Sequence, residues 1–302
     1  MIYFNHELKA LYFHIPKCGG TNIKRLLTNK YGFICIPDIY NKKRRPDHER
    51  EFAGNDYNLD LPNLSVTSIR KKGVLRYFID NKETNELLGL DDEKWSSYFK
   101  FTFIRDPYKK FLSAFKYLKL NHNTVPTHCE QYCYANLRAF FDFRTMINNY
   151  GYFHSYITQN DHLMDTKLQI NMNFLGNIDN YESDMASIFK IIGIDSSLPV
   201  NNIDENGKPF IHNLNIDYKK ETFYEHYNQE TLDLVTEAVY LDFDLLGFLK
   251  FTNYEDFVAH YSGQSVTADA ALVYDEPLVC PVCNLFKAYN KTAYDAHCFH
   301  CK

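Results

Sequence analysis

Two adjacent glycines between a lysine and a threonine, in the stretch LYFHIPKCGGTNIKRLL from Leu11 to Leu27, have the composition of an anion site. Glycines at a strand-to-helix turn let backbone N–H groups converge on a negative group at a helix N-terminus. Thr21 and Asn22 add side-chain donors at that same terminus. Lys17 precedes the glycines, on the strand side, where its ammonium would reach across the loop toward a group being transferred. A Walker A loop, G-x-x-x-x-G-K-[ST], carries its lysine after the glycines, and this stretch does not match it. Taken alone, a structural glycine turn beside an exposed lysine is the competing reading.

A second stretch, FIRDPYKKFLSAF, sets Arg105 at the end of an apolar run and Ser113 about two turns down the following helix. A guanidinium fork suits a terminal phosphate, and a serine hydroxyl supplies one more donor. Alone, Arg105–Asp106 reads equally as a capping pair and Ser113 as a small residue at a helix crossing. The third concentration of chemistry is the tail, CPVCNLFKAYNKTAYDAHCFHCK, which reads C-x2-C-x13-H-x3-C through Cys280, Cys283, His297 and Cys301. Such a knuckle followed by a helix gives tetrahedral Zn²⁺, and metal would supply most of the folding energy of so short a segment. Cys298 and His300 are spare donors that leave the ligand set open.

The elements around these residues alternate. ALYFHI, Ala10–Ile15, is a short apolar run suited to a buried parallel strand, and TNIKRLL then puts Ile23, Leu26 and Leu27 on one helical face. FICIPD is a candidate second strand, and the polar stretch 41–63 reads as a surface loop. FKFTFI ends in Arg105, with Asp106 as N-cap and Pro107 at the first helical position, and Tyr108, Phe111, Leu112 and Phe115 form the apolar stripe. NFLGNID is a strand; the helix after it carries Met185, Ile188, Phe189 and Ile192 inward and ends at Gly193. One further helix runs from Asn228 as cap through DLLGF, with Leu232, Val235 and Val239 inward, and residues 252–278 show no clear periodicity. Strands alternating with helices imply an α/β fold with a central, mostly parallel sheet covered on both faces.

Together, and in this order, HIPKCGGTNIKRLL and FTFIRDPYKKFLSAFKY resemble the 5′- and 3′-phosphate segments of carbohydrate-type (family 2) sulfotransferases. The resemblance continues through HSYITQNDHLMD, NFLGNIDNYESDMASIFKIIGI and the closing VTEAVYLDFDLLGF, and spans roughly residues 10–250. It implies a P-loop-like three-layer sandwich over residues 1–251, which leaves 252–278 as a linker and 279–302 as the zinc finger read from the cysteine and histidine spacing. It implies as co-substrate 3′-phosphoadenosine 5′-phosphosulfate, with no Mg²⁺ clamp. The donor loop would then be Pro16, Lys17, Cys18, Gly19, Gly20, Thr21 and Asn22. Lys17 would act on the oxygen between sulfur and the leaving phosphate, the amides of Gly19, Gly20 and Thr21 on the 5′-phosphate, and Arg105 and Ser113 on the 3′-phosphate. In-line transfer to a hydroxyl, here expected on a carbohydrate, needs a base. His48, Glu49 and Glu51 in PDHERE and His154 in YFHSYITQ are the candidates, with His48 and His154 foremost; His14 on the first strand reads as a core histidine. The tail resembles ubiquitin-binding zinc fingers, which makes ubiquitin one candidate protein partner, against a structural or self-association role.

Composition bounds these readings. A net charge of −5 disfavours bulk nucleic-acid or anionic-membrane binding, although the NKKRR run before His48 could steer an anionic acceptor. No run approaches the roughly 18 apolar residues of a membrane span. Four of the eight cysteines crowd the tail, which fits metal binding in a reducing compartment, so the chain is expected in the cytoplasm. An adaptor that keeps the fold while its finger recruits a partner is the alternative function. A nucleotide kinase lacks its lysine and Mg²⁺ aspartate.

Overall fold

The computed structural model describes residues 2–35, 89, 92–120, 158–163, 170, 172–195, 223–263, 273–279 and 287–290. In chain order these form β1 (Ile2–Asn5), β2 (Ala10–Phe13), α1 (Gly20–Tyr31), β3 (Ile34–Cys35), α2 (Asp92–Ser97), β4 (Phe99–Ile104) and α3 (Pro107–Leu120). There follow α4 (Gln159–Leu163), β5 (Phe174–Asn177), α5 (Tyr181–Ile192), α6 (Gln229–Ala238), α7 (Tyr240–Leu246), α8 (Tyr254–Tyr261), β6 (Val273–Val279) and β7 (Lys287–Asn290). The chain divides into two units, Met1–Ile104 with Asp161–Phe210, and Arg105–Asn160 with Ile211–Lys302.

The first unit is a mixed sheet in the order β3-β1-β2-β4-β5. Its centre is parallel, β2 beside β4 and β4 beside β5, as the alternating pattern predicts. Its edge is not: β1 runs antiparallel to both β2 and β3. The physical reason is the short connection His6–Lys9, which permits a hairpin and no crossover. There Asn5 Oδ1 accepts from the Leu8 N–H at 2.8 Å, and Lys9 takes a left-handed φ of 49°. Alternate residues then face opposite ways. Tyr3, Tyr12, Phe101, Phe103 and Phe174 share one core cluster with Ile23, Leu26 and Leu27 of α1 and Met185, Ile188 and Phe189 of α5. Toward the other face, Trp95 of α2 stands edge-on to Phe13, with ring centroids 6.0 Å apart. Lys100 is buried beside it: its Nζ lies 5.7 Å from the Trp95 ring and donates to the Tyr98 carbonyl at 3.2 Å. The register of β2 on β4 is pinned by Thr102, whose hydroxyl donates to the Phe13 carbonyl at 2.6 Å.

The second unit packs α3, α6, α7 and α8 around Tyr108. Its ring meets Tyr227, Phe243, Phe251 and Phe257 at centroid distances of 5.8, 4.9, 6.1 and 5.1 Å. Such a cluster is strongly stabilising, provided that the phenol finds polar partners. Tyr108 has two, the Thr236 hydroxyl at 2.7 Å and the Phe251 N–H at 3.3 Å, while burial pushes its phenol up to about 12. Asn228 caps α6 in a capping box with Thr231. The single helix expected from Asn228 breaks at Val239 (φ −129°), and the restart as α7 leaves both Asp242 and Phe243 buried. The stretch without evident periodicity holds α8, whose Tyr254, Phe257, Val258 and Tyr261 fall at i, i+3, i+4 and i+7 and pack on the Tyr108 cluster. Beyond it, β6 and β7 pair antiparallel. No helix of the described residues is long and apolar enough to cross a membrane.

Candidate functional site

The glycine turn after β2 belongs to the first unit. β2 ends at Phe13, short of the predicted Ile15, and residues 16–19 form the turn into α1. Two residues of this turn are left-handed, Lys17 at φ 69° and Gly19 at φ 72°. A non-glycine residue in that region is strained by roughly 1–3 kcal/mol, and such strain gathers at functional sites. Glycine is needed at both of the next positions by contact as well. A Cβ on Gly19 would lie 2.2 Å from Ile178 Cδ1, and one on Gly20 would lie 1.9 Å from the His14 ring. His14 is thus half-buried against the start of α1 rather than within the core as its strand position suggested.

The loop's hydrogen bonds divide its N–H groups into two sets. Those of Cys18 and Asn22 are spent internally, on the carbonyls of Ile15 at 3.3 Å and Gly19 at 3.2 Å. Those of Gly19, Gly20 and Thr21 take part in no internal hydrogen bond among the described residues. Gly19 caps α1 without a side-chain bond, and the first turn contains no acidic residue. The positive end of the helix dipole is therefore uncompensated there, the condition for receiving an anion. The buried Asn22 Oδ1 likewise has no hydrogen-bond partner among the described residues. Cys18 is fully buried, its Sγ 3.7 Å from the Pro16 carbonyl. Pro16 and Cys18 thus shape the loop rather than line it with side chains.

Arg105 and Ser113 belong to the second unit. Asp106 performs the predicted capping, accepting from the Lys109 N–H at 2.9 Å, and its other oxygen accepts from the Tyr261 hydroxyl. Lys109 Nζ sits 5.8 Å from the Phe223 ring and 5.6 Å from that of Tyr261. The Tyr261 phenol is pushed well up, by burial first and then by the Asp106 charge. Ser113 is half-buried on α3, with no hydrogen bond from its hydroxyl among the described residues.

Sequence reasoning missed what holds Arg105. Gln159 accepts from the Arg105 N–H at 2.8 Å and donates from Nε2 to the Arg105 carbonyl at 2.7 Å. Asp242 in turn accepts from the N–H groups of Gln159 and Asn160, at 2.8 and 3.0 Å, and from Asn160 Nδ2 at 3.0 Å. The HSYITQ stretch drew notice only through its resemblance, and nothing in residue spacing links position 159 to positions 105 or 242. His48, Glu49, Glu51, His154, Cys280, Cys283, His297 and Cys301 lie outside the described residues, so neither the base nor the metal ligands are placed. Among the described residues no group of His, Cys, Asp or Glu is arranged to hold a metal ion.

Comparison with known proteins gives one result. The family model described as "Sulfotransferase family" matches residues 1–249, most of the chain, including the glycine turn and Arg105. No curated protein matches, and no solved structure does. A strand, a glycine turn, an uncapped helix and a buttressed arginine thus stand within one matched span, and the chain belongs to the sulfotransferase family.

Proposed function

We propose that the chain moves a sulfuryl group from 3′-phosphoadenosine 5′-phosphosulfate to a hydroxyl of a carbohydrate acceptor by in-line displacement. The observation that carries this reading is the set of three uncommitted N–H groups, at Gly19, Gly20 and Thr21, ahead of an uncapped α1 and beside a left-handed Lys17. Those amides hold the 5′-phosphate. The Lys17 ammonium stabilises charge gathering on the oxygen that sulfur leaves. Arg105 and Ser113 take the 3′-phosphate, the feature that separates this donor from ATP. The acceptor oxygen bonds to sulfur as the bond from sulfur to the bridging oxygen breaks. The acceptor proton passes to a base, for which His48 and His154 are the candidates, and adenosine 3′,5′-bisphosphate departs.

Calorimetric titration with adenosine 3′,5′-bisphosphate, beside ATP, tests the donor assignment. Tight binding that ATP does not share, and that Arg105→Ala loses, is the expected result. Failure of folded chain to bind the bisphosphate would overturn the assignment and favour the adaptor reading. The base is then chosen by activity: alanine at the true base lowers kcat by ~10²–10⁴.

The tail adds a second proposal, that Cys280, Cys283, His297 and Cys301 hold one structural Zn²⁺. Two thiolates three positions apart, followed by a histidine and a cysteine four apart, are the donor set that zinc prefers. The same thiols suit a reducing cytoplasm, and the finger would offer a protein partner such as ubiquitin a small docking surface. Metal analysis should find about one zinc per chain, lost in Cys283→Ala; purified chain without zinc would end this reading.

A further inference from the structure

We propose that Gln159 and Asp242 are positioning residues for Arg105, setting the direction in which its guanidinium meets the donor's 3′-phosphate; the inference rests on that phosphate reading. Arg105 stands between β4 and α3, where the chain has left the strand and has not yet entered the helix. Its backbone N–H and carbonyl are both taken up by one side-chain amide, that of Gln159, at 2.8 and 2.7 Å. A reciprocal pair of this kind fixes the peptide planes on both sides of residue 105, and with them the Cα–Cβ direction. The next residue is fixed as well, since Asp106 caps α3.

The amide is itself held. Gln159 is fully buried, and Asp242, 1 % exposed, receives the N–H groups of Gln159 and Asn160 together with the Asn160 side chain. Burial pushes the Asp242 carboxyl up, and the charge of Lys110 on α3, also buried, works against it together with the two N–H groups. A buried network of Gln, Asn, Asp and Lys is costly to assemble, and apolar side chains of the same volume serve stability as well or better. What it gives in return is one geometry, because the Asp242 carboxylate and the Gln159 amide find their partners only when the others are in place. That geometry ends on the backbone of Arg105.

The test compares adenosine 3′,5′-bisphosphate with adenosine 5′-monophosphate, which lacks the phosphate in question, in calorimetric titrations of the full chain. Gln159→Met keeps length and removes both hydrogen bonds; it should weaken the bisphosphate about tenfold and leave the monophosphate within about twofold. Gln159→Glu, which keeps only the accepting bond, should fall between. Asp242→Asn should give the same ligand-selective loss, and it carries the test if Gln159→Met does not fold. In an Arg105→Ala background Gln159→Met should cost nothing further, because the group it positions is gone. Equal losses for both ligands, or additive losses with Arg105→Ala, would reduce Gln159 to a fold residue and overturn the proposal. If Arg105→Ala alone leaves bisphosphate affinity intact, the 3′-phosphate reading itself has failed, and the positioning role falls with it.

Discussion

The glycine loop and the arginine segment, each proposed to hold a phosphate, are built by opposite means. The loop is built of backbone: two left-handed residues, three uncommitted N–H groups and glycines pressed against Ile178 and His14. The arginine segment is built of side chains that hold backbone, with Gln159 bracketing Arg105 and Asp242 bracketing Gln159. A backbone site stores strain and leaves donors open. A side-chain network stores hydrogen bonds, and of its members only the Asn160 Oδ1 has no partner among the described residues. Damage to the loop should therefore appear in chemistry, and damage to the network in stability and selectivity together.

The sharpest division comes from removing the network's anchor. Asp242→Leu strands three donors and the nearby Lys110 charge in a buried site, so it should destabilise the chain by ~3–5 kcal/mol. Denaturant unfolding measures this directly; a loss below about 1 kcal/mol would mean that the network is slack. The loop predicts the reverse pattern. Lys17→Gly removes the ammonium and should lower kcat by ~10²–10³. It also relieves a left-handed non-glycine residue, φ 69°, and should leave the chain about 1 kcal/mol more stable. A variant that is inactive and also less stable would break the contrast, because Lys17 would then be part of the scaffold.

This division matches what was legible in the sequence. The loop could be read because its signals are local: a lysine, two glycines and a threonine in the five residues Lys17 to Thr21 specify a turn, and the helix after it shows its stripe. The same holds for the stripe of Tyr108, Phe111, Leu112 and Phe115, for the Asp106 and Asn228 caps, and for Gly193 at the end of α5, left-handed at φ 81°. The network could not be read, because Gln159 and Asp242 lie 83 positions apart and only the fold makes them neighbours. Two misses were of another kind. The pattern of α8 was present in YEDFVAHY but too short to stand out beside its polar residues. β1 was overlooked because a four-residue strand at a terminus offers too little alternation to register.

The sheet of the first unit supplies the counterpart to Asp242. Lys100 is likewise buried, yet its company among the described residues is one carbonyl and the face of Trp95. Burial lowers its ammonium from the usual 10.5 to about 8. Between those values the unfolded chain binds the extra proton, so stability rises as pH climbs from about 8 toward 10.5, and the full penalty is present below 8. Lys100→Met should therefore stabilise the chain at pH 7 by ~2–3 kcal/mol and flatten that rise. Unfolding curves at pH 7 and pH 10 decide it. A less stable Met variant at pH 7 would mean that the indole and carbonyl satisfy the ammonium as fully as donors satisfy Asp242.

The smallest effect concerns a residue outside the matched span. Tyr261 lies beyond residue 249, yet its hydroxyl donates to Asp106, the cap of α3 and the neighbour of Arg105. Its ring also meets Phe223 and Phe257, at 4.5 and 5.1 Å, so Tyr261→Phe keeps the packing and removes one hydrogen bond. The carboxylate keeps the Lys109 N–H and is only partly deprived, which limits the loss to about 1 kcal/mol. Denaturant unfolding at pH 7 measures it. An unchanged stability would place the Tyr261 contribution in its ring alone, and α8 would then be packing added to the arginine segment and not part of the network that holds it.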